Sequence, residues 1–169
     1  MVLNRPPGWQ NGPIGLYHGT LLSHVPSILR GVDPNYFKPL KDFGRGFYVT
    51  TSQRQATSWA ESLADQTLGV DGPAVLVFTI GLDALAELDT LAFVRGDYDA
   101  DDFWSFVWHC RENDADHGRP VNGGWYDVVV GPVAAFWGQR ALYAGSDQMS
   151  FHTPTAVALL NAGNPRQIR

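Results

Sequence analysis

The most informative segment of the sequence is Asp42-Phe43-Gly44-Arg45-Gly46-Phe47-Tyr48-Val49-Thr50. In it, a glycine-flanked arginine leads directly into a run of β-forming residues. Phe47–Thr51 is therefore predicted to be a strand. Ser52 can cap a helix after it, with one buried face formed by residues at i, i+3 and i+4 spacing: Ala56, Trp59, Ala60, Leu63 and Ala64. The order of loop, strand and helix argues against the doubly wound nucleotide fingerprint, in which the glycine loop follows a strand and opens a helix.

Outward from this segment, the sequence alternates strand and helix signals. The predicted strands are Leu16–Thr20, Ala74–Ile80 as a central strand, Leu88–Val94, Trp125–Val130 and Gln148–His152. Three more helices are predicted: His24–Arg30 with Gly31 as its stop, a helix capped by Asp99 or Asp101 with Phe103, Phe106, Val107 and Cys110 on one face, and a last helix capped by Thr153 with Pro154 at its first position. These elements predict an α+β fold.

Size and composition fit one globular domain spanning residues 1–169, with a recognisable core at about 16–160. Hydrophobic residues make up 44% of the 169-residue chain and charged residues 17%. No stretch approaches the roughly 20 apolar residues of a membrane span, and no secretory signal is visible, so no membrane partner is expected. The net charge of −5 includes no basic run, and the histidines and the single Cys110 have no metal-ligand spacing, so no metal is expected.

Two further segments carry residue types that suit a nucleotide with a flat, amide-bearing ring. Tyr17-His18-Gly19-Thr20 offers an imidazole and a glycine backbone whose N–H and C=O can pair with an amide. Asp147-Gln148-Met149-Ser150-Phe151-His152 opens with a glutamine that can hydrogen-bond a ribose hydroxyl. Tyr48 offers a flat face for a ring, and Arg45 can reach a pyrophosphate. Each residue alone has an ordinary structural explanation, and only their joint occurrence favours a binding site.

At these residues the chain resembles the catalytic domains of the ADP-ribosyltransferases of the diphtheria-toxin and poly-ADP-ribose-polymerase type. It is most similar to a largely uncharacterised bacterial group with the same Asp-Phe-Gly-x-Gly-Phe-Tyr segment. The resemblance extends to Gln55-Ala56-x-x-Trp59-Ala60 and to Tyr126-Asp127-Val128-Val129-x-Gly131-Pro132. It implies a single-domain ADP-ribosyltransferase-like fold, with a central split mixed β-sheet and flanking helices, and NAD as co-substrate.

The resemblance also implies a role for each matching residue. His18, Tyr48 and Gln148 take the places of the family's His-Tyr-Glu catalytic triad. The NAD-binding residues implied are His18 on the adenosine-side ribose, Gly19 on the nicotinamide amide, and Thr20, Arg45, Tyr48 and Trp59. For Trp59, packing in the core and stacking on the nicotinamide ring both remain open, because it also lies on the apolar face of its helix.

Two departures from the family pattern shape the functional hypothesis. Gln148 is not an acid, and Ala56 stands where the family often has a serine, so polymer formation is not expected. The leading hypothesis is a mono-ADP-ribosyltransferase acting on a protein or nucleic-acid acceptor, in the cytoplasm of its own cell or of a target cell. By family analogy it is a toxin with an antitoxin or immunity protein as partner. The alternatives are an NAD glycohydrolase and a catalytically silent NAD-binding module.

Overall fold

The computed structural model describes residues 12–33, 40–93, 101–112 and 124–169, and the fold is described over those ranges. The α-helices are α1 (Val25–Arg30), α2 (Gln53–Gln66), α3 (Leu82–Ala86), α4 (Asp101–Glu112) and α5 (Pro154–Ala162). The strands are β1 (Pro13–Leu21), β2 (Phe47–Val49), β3 (Pro73–Gly81), β4 (Thr90–Ala92), β5 (Val128–Gly131), β6 (Ala134–Phe136), β7 (Ala141–Leu142), β8 (Gln148–Phe151) and β9 (Arg166–Gln167). The mixture confirms an α+β fold.

Two sheets face each other across the main core. One has the strand order β1-β3-β9, so β3 is the central strand that its unbroken apolar run predicts. The other has the order β2-β8-β5-β4 and is mixed, because β4 and β5 are parallel while its other pairs are antiparallel. A single antiparallel bridge between Tyr17 of β1 and Thr50, just after β2, joins the two sheets. Strands β6 and β7 form a separate hairpin.

Alternation along the strands separates three apolar clusters. The largest lies between the two sheets and is completed by α5, with Phe78 and Phe151 among its fully buried side chains. A second cluster lies on the other face of the β2-β8-β5-β4 sheet, where α4 packs through Phe103 and Val107. The third is small and lies under α2. Helix α2 therefore covers the outer face of the β1-β3-β9 sheet, and α4 covers the outer face of the other.

The capping signals in the sequence are confirmed at two helices. The Ser52 side chain accepts a hydrogen bond from the N–H of Gln55 at the start of α2, and Thr153 accepts one from Ala156 at the start of α5. Each cap satisfies a backbone donor that the first turn of a helix leaves without a partner. Pro154 occupies the first position of α5, as predicted.

Several details of the predictions were wrong. Trp59 does not belong to the buried face of α2: its side chain is 52% exposed, and the fully buried residues of that helix are Ala56 and Ala60. Trp104 is a core residue of α4 that the periodicity did not identify. Asp99 lies outside the described residues, so its capping role has no structural counterpart here.

No helix within the described ranges is long and apolar enough to cross a membrane. Among the same residues, no group of three or more His, Cys, Asp or Glu side chains is placed to hold a metal ion.

Candidate functional site

The Tyr48 side chain connects β2 to the glycine-rich loop of residues 42–46, called the glycine loop below. Its hydroxyl accepts a hydrogen bond from the N–H of Phe43 at 3.0 Å and donates one to the carbonyl of Gly44 at 2.7 Å. Gly44 has a φ of 78°, a left-handed conformation that favours glycine at this turn. Burial raises the pKa of Tyr48 above its ordinary value, so the hydroxyl keeps its proton and remains a donor at neutral pH.

His18 lies beside Tyr48, where β1 meets β2. The Nδ1–H of His18 donates to the main-chain carbonyl of Tyr48 at 2.7 Å, because a carbonyl can only accept. In the neutral ring, Nε2 is then the acceptor nitrogen. The imidazole also stacks on Phe47, with ring centroids 4.3 Å apart. Two predicted site residues, His18 and Tyr48, are therefore brought together on neighbouring strands.

Gly19 is buried, and its main chain lies on the edge of β1 that faces away from β3. Val75, which lies opposite Gly19, bonds instead to the C-terminal segment: its N–H donates to Arg169 at 3.1 Å, and its carbonyl accepts from Ile168 at 2.9 Å. Pairing in an antiparallel ladder alternates from residue to residue, so the N–H and C=O of Gly19 point away from β3. They point to the side on which Tyr17 pairs with Thr50, and no described residue hydrogen-bonds them there.

The close approach of α2 gives Gly19 a structural reason as well. A Cβ at this position would lie 2.1 Å from the main-chain oxygen of Ala56. Only glycine fits where the helix crosses the strand at that distance. Ala56, which stands where a serine was expected from the resemblance, is only 2% exposed in this contact.

Trp59 and Tyr48 share a cationic neighbour in Lys41. The Lys41 ammonium lies 5.6 Å from the centroid of the Trp59 ring and 5.8 Å from that of the Tyr48 ring. The indole of Trp59 is half exposed, so Trp59 is not among the buried core residues.

Gln148 is buried and held by its amide nitrogen. Its Nε2 donates to the Asp42 carboxylate at 2.6 Å and to the Pro132 carbonyl at 2.9 Å. Both partners can only accept, so the amide orientation is fixed and Oε1 points elsewhere. Among the described residues, Oε1 has no hydrogen-bond partner. Gln148 shares a face of the sheet with Tyr48, because Tyr48 pairs with Ser150 and side chains alternate along β8.

Asp42 is the centre of this buried polar network and was not identified from the sequence. Its carboxylate accepts from Gln148, from the N–H of Ala134 at 2.9 Å and from Nε of Arg111 at 2.7 Å, with a second contact from the same guanidinium. Arg111 at the end of α4 neutralises a charge that is 4% exposed. Asp42 therefore links the glycine loop, α4 and β8.

Asp147, the residue before β8, has a different role from Gln148. Its carboxylate accepts from the hydroxyls of Thr50 and Thr51 and from the N–H of Thr51. Its main chain pairs with the Gln55 side chain, which donates at 2.7 Å and accepts at 3.1 Å. Asp147 thus fixes the turn between β2 and α2 against the start of β8.

Arg45 and Thr20, the other two predicted binding residues, have different surroundings. The Arg45 guanidinium lies 5.3 Å from the centroid of the Trp125 ring, and its carbonyl accepts from Nδ1 of His152 at 2.7 Å. Thr20 is buried, and its hydroxyl lies 3.2 Å from Nδ1 of His24. Thr20 therefore packs into the β1–α1 connection, whereas Arg45 is half-buried on the glycine loop.

The sequence reasoning missed Lys41, Asp42 and Arg111. Asp42 opens the segment quoted from the sequence but received no role there, and Lys41 directly precedes it. Arg111 is 69 residues from Asp42 and has no pattern that marks it.

Comparison with known families places the chain in one group. A family model described as "Protein of unknown function (DUF3990)" matches residues 14–137, well over half of the chain. The matched span contains His18, Tyr48 and Trp59 and ends before Gln148. No curated protein matches the chain. The chain therefore belongs to the DUF3990 family of proteins of unknown function.

Proposed function

We propose that this chain is a mono-ADP-ribosyltransferase that takes ADP-ribose from NAD and transfers it to a protein or nucleic-acid acceptor. The observation that carries the proposal is the main chain of Gly19 on the edge of β1, whose N–H and C=O are hydrogen-bonded by no described residue. An adjacent N–H and C=O there match the acceptor and donor of a carboxamide, and His18 and Tyr48 lie beside them. The two sheets joined at the Tyr17–Thr50 bridge are compatible with an ADP-ribosyltransferase-like split sheet.

The residues at the junction where β1 meets β2 have the chemistry that NAD requires. NAD supplies a glycosidic bond to a good leaving group, nicotinamide, and its cleavage passes through an oxocarbenium-like state. The Gly19 main chain would hold the carboxamide. The Tyr48 and Trp59 rings would form the two sides of a slot for the nicotinamide ring. His18 would bind a ribose hydroxyl, and the Arg45 guanidinium on the glycine loop would meet the pyrophosphate. The acceptor nucleophile would then bond to the anomeric carbon and lose its proton.

Gln148 would hold the ribose through its carbonyl oxygen. The amide nitrogen is committed to Asp42 and Pro132, which leaves Oε1 as an acceptor of fixed direction for a hydroxyl. A neutral oxygen stabilises a developing positive charge less than a carboxylate does. Slow transfer of single ADP-ribose units fits this arrangement better than rapid polymer synthesis.

The neutral side chain of Gln148 favours a second candidate, a catalytically silent NAD-binding module. If a full charge at position 148 is indispensable, the site binds NAD and releases no nicotinamide. An NAD glycohydrolase, in which water replaces the acceptor, is the other outcome that the test below separates. A toxin role, with an antitoxin or immunity protein as partner, is proposed by family analogy alone.

Nicotinamide release from NAD, measured with and without cell extract, tests the proposal. A transferase gives release that rises with extract, together with label from adenine-labelled NAD on a product sensitive to protease or to nuclease. Release that does not depend on extract, without a labelled product, identifies a glycohydrolase. Saturable NAD binding without release identifies a binding module, and absence of both binding and release refutes the NAD site. The matched control is Arg166→Met, a change on the exposed far strand β9.

A further inference from the structure

We propose that Lys41 is a built-in competitor for the slot between Tyr48 and Trp59, and that a cationic ring must displace its ammonium in order to bind. The inference rests on the proposed function for the identity of the ring, but its structural basis is separate. One ammonium lies within 6 Å of the centroids of both rings, at 5.8 Å and 5.6 Å. An ammonium over an aromatic face at this range is attracted by the ring quadrupole.

The Tyr48 and Trp59 rings therefore already attract a positive charge from within the chain. The nicotinamide ring of NAD is a pyridinium cation, so it belongs to the same chemical class as the group that occupies the slot. Two rings that attract Lys41 will attract a flat cation at least as well, because its π-system adds stacking to the electrostatic term. Lys41 and the cation cannot hold the same place together, since like charges repel.

The backbone next to Lys41 supports a fixed placement of this side chain. Leu40 has a φ of 61° and lies in the left-handed region that residues other than glycine rarely adopt. Asp42, on the other side, is anchored by its contacts with Arg111, Ala134 and Gln148. Lys41 thus extends from a segment that is bent before it and anchored after it. These two constraints on the backbone help to hold the Lys41 ammonium within 6 Å of both ring centroids.

Lys41 therefore lowers the affinity of every ligand for the slot, relative to a protein without its ammonium. Removing the ammonium while keeping the length of the side chain should tighten the binding of a pyridinium by about 3- to 10-fold, the range expected for one or two exposed cation–π contacts. Replacing Lys41 by another cation should leave the competition in place. A lysine that instead helped to bind the ring would give the opposite result, with weaker binding on its removal.

Titration of 1-methylnicotinamide, a free pyridinium cation, into folded protein tests the inference directly. Four proteins are compared by calorimetry: wild type, Lys41→Met, Lys41→Arg and Arg166→Met, the last as a control for net charge on an exposed strand. The expected result is tighter binding only in Lys41→Met. Equal or weaker binding in Lys41→Met overturns the inference, and if NAD still binds to wild type the proposed function survives that outcome. If 1-methylnicotinamide binds neither wild type nor Lys41→Met, the slot itself is refuted, and nicotinamide release from NAD then decides the function separately.

A second readout needs no ligand. Ring currents from Tyr48 and Trp59 should shift the side-chain methylene protons of Lys41 upfield in the NMR spectrum of the free protein. Trp59→Leu should remove part of that shift, while Arg166→Met should not change it. Unshifted Lys41 protons in the folded wild type would show that the ammonium does not occupy the slot, and would overturn the inference whatever the protein binds.

Discussion

Gln148→Glu is the substitution whose effect the structure predicts most specifically. The family resemblance suggests that a glutamate here would restore a missing acid. The structure predicts a cost, because the glutamine amide donates to the buried Asp42 carboxylate at 2.6 Å and to the Pro132 carbonyl at 2.9 Å. An ionised glutamate has no proton to donate to either partner, and it would bring a second negative charge against Asp42.

The magnitude follows from the contacts that are lost. A hydrogen bond to a charged group contributes about 1.5–3 kcal/mol and one between neutral groups about 0.5–1.5 kcal/mol. Adding the repulsion between two buried carboxylates, we expect Gln148→Glu to lower the free energy of unfolding by about 3–5 kcal/mol at pH 8. For a domain of this size that corresponds to roughly 6–20 °C in Tm. The uncharged control Gln148→Met should cost about 1–3 kcal/mol.

The pH dependence distinguishes charge repulsion from simple loss of packing. Burial and the neighbouring Asp42 charge would raise the pKa of a glutamate at 148 above its unfolded value of about 4.3. A raised folded-state pKa means that stability is greatest below about pH 4.3 and is lost as the pH rises through the folded-state pKa. Between those two values the gap to wild type should grow by about 1.4 kcal/mol per pH unit. Gln148→Met should show a gap that does not vary with pH.

Urea unfolding of the three proteins at pH 5, 6, 7 and 8, followed by circular dichroism, measures these gaps. If Gln148→Glu and Gln148→Met are equally stable at every pH, then Asp42 does not interact with the side chain at 148. The orientation assigned to the Gln148 amide would then be wrong, and with it the role of Oε1.

Three other predictions concern the junction between β1, β2 and α2. Gly19→Ala should lower the free energy of unfolding, measured by urea titration, by about 3 kcal/mol or more, because its Cβ would lie 2.1 Å from a main-chain oxygen of α2. The control Gly15→Ala, on the same strand, should have a much smaller effect. Tyr48→Phe should lower the free energy of unfolding in chemical denaturation by about 1–3 kcal/mol, because two main-chain groups of the glycine loop lose their hydrogen-bond partner. An unchanged free energy of unfolding would exclude this role of the Tyr48 hydroxyl. Trp59→Ala should cost less than about 2 kcal/mol, well below a buried aromatic, yet abolish most NAD binding in calorimetry; a larger loss of stability with NAD binding retained would return Trp59 to the core.

Local signals in the sequence were sufficient for the elements that local chemistry determines. Ser52 and Thr153 cap their helices as predicted, because a hydroxyl at that position satisfies a donor that is free in any helix. The apolar run of β3 predicted a central strand, since both of its faces are covered. A family resemblance, and not sequence spacing, links His18 to Tyr48, and in the structure His18 Nδ1 hydrogen-bonds the Tyr48 carbonyl.

The errors arose where long-range packing overrides periodicity. Trp59 has the spacing of a buried residue, but α2 approaches β1 so closely at Gly19 that only Ala56 and Ala60 fit beneath it, and the large ring lies at the rim. The Asp42 network joins residues up to 106 positions apart in the chain, and no local pattern marks such a set. Gln148 was identified as a site residue, but its commitment to Asp42 could be learned only from the fold.

A calorimetric titration of NAD into wild type and into His18→Ala tests whether the edge of β1 beside Tyr48 binds NAD. His18 lies at the junction with its Nδ1–H on the Tyr48 carbonyl, so its removal takes one hydrogen bond from the proposed ribose contact and leaves the core clusters intact. We expect saturable NAD binding to wild type that weakens by about 2- to 10-fold or more in folded His18→Ala protein. Absence of saturable binding to wild type, or equal affinity in the two proteins, would contradict it.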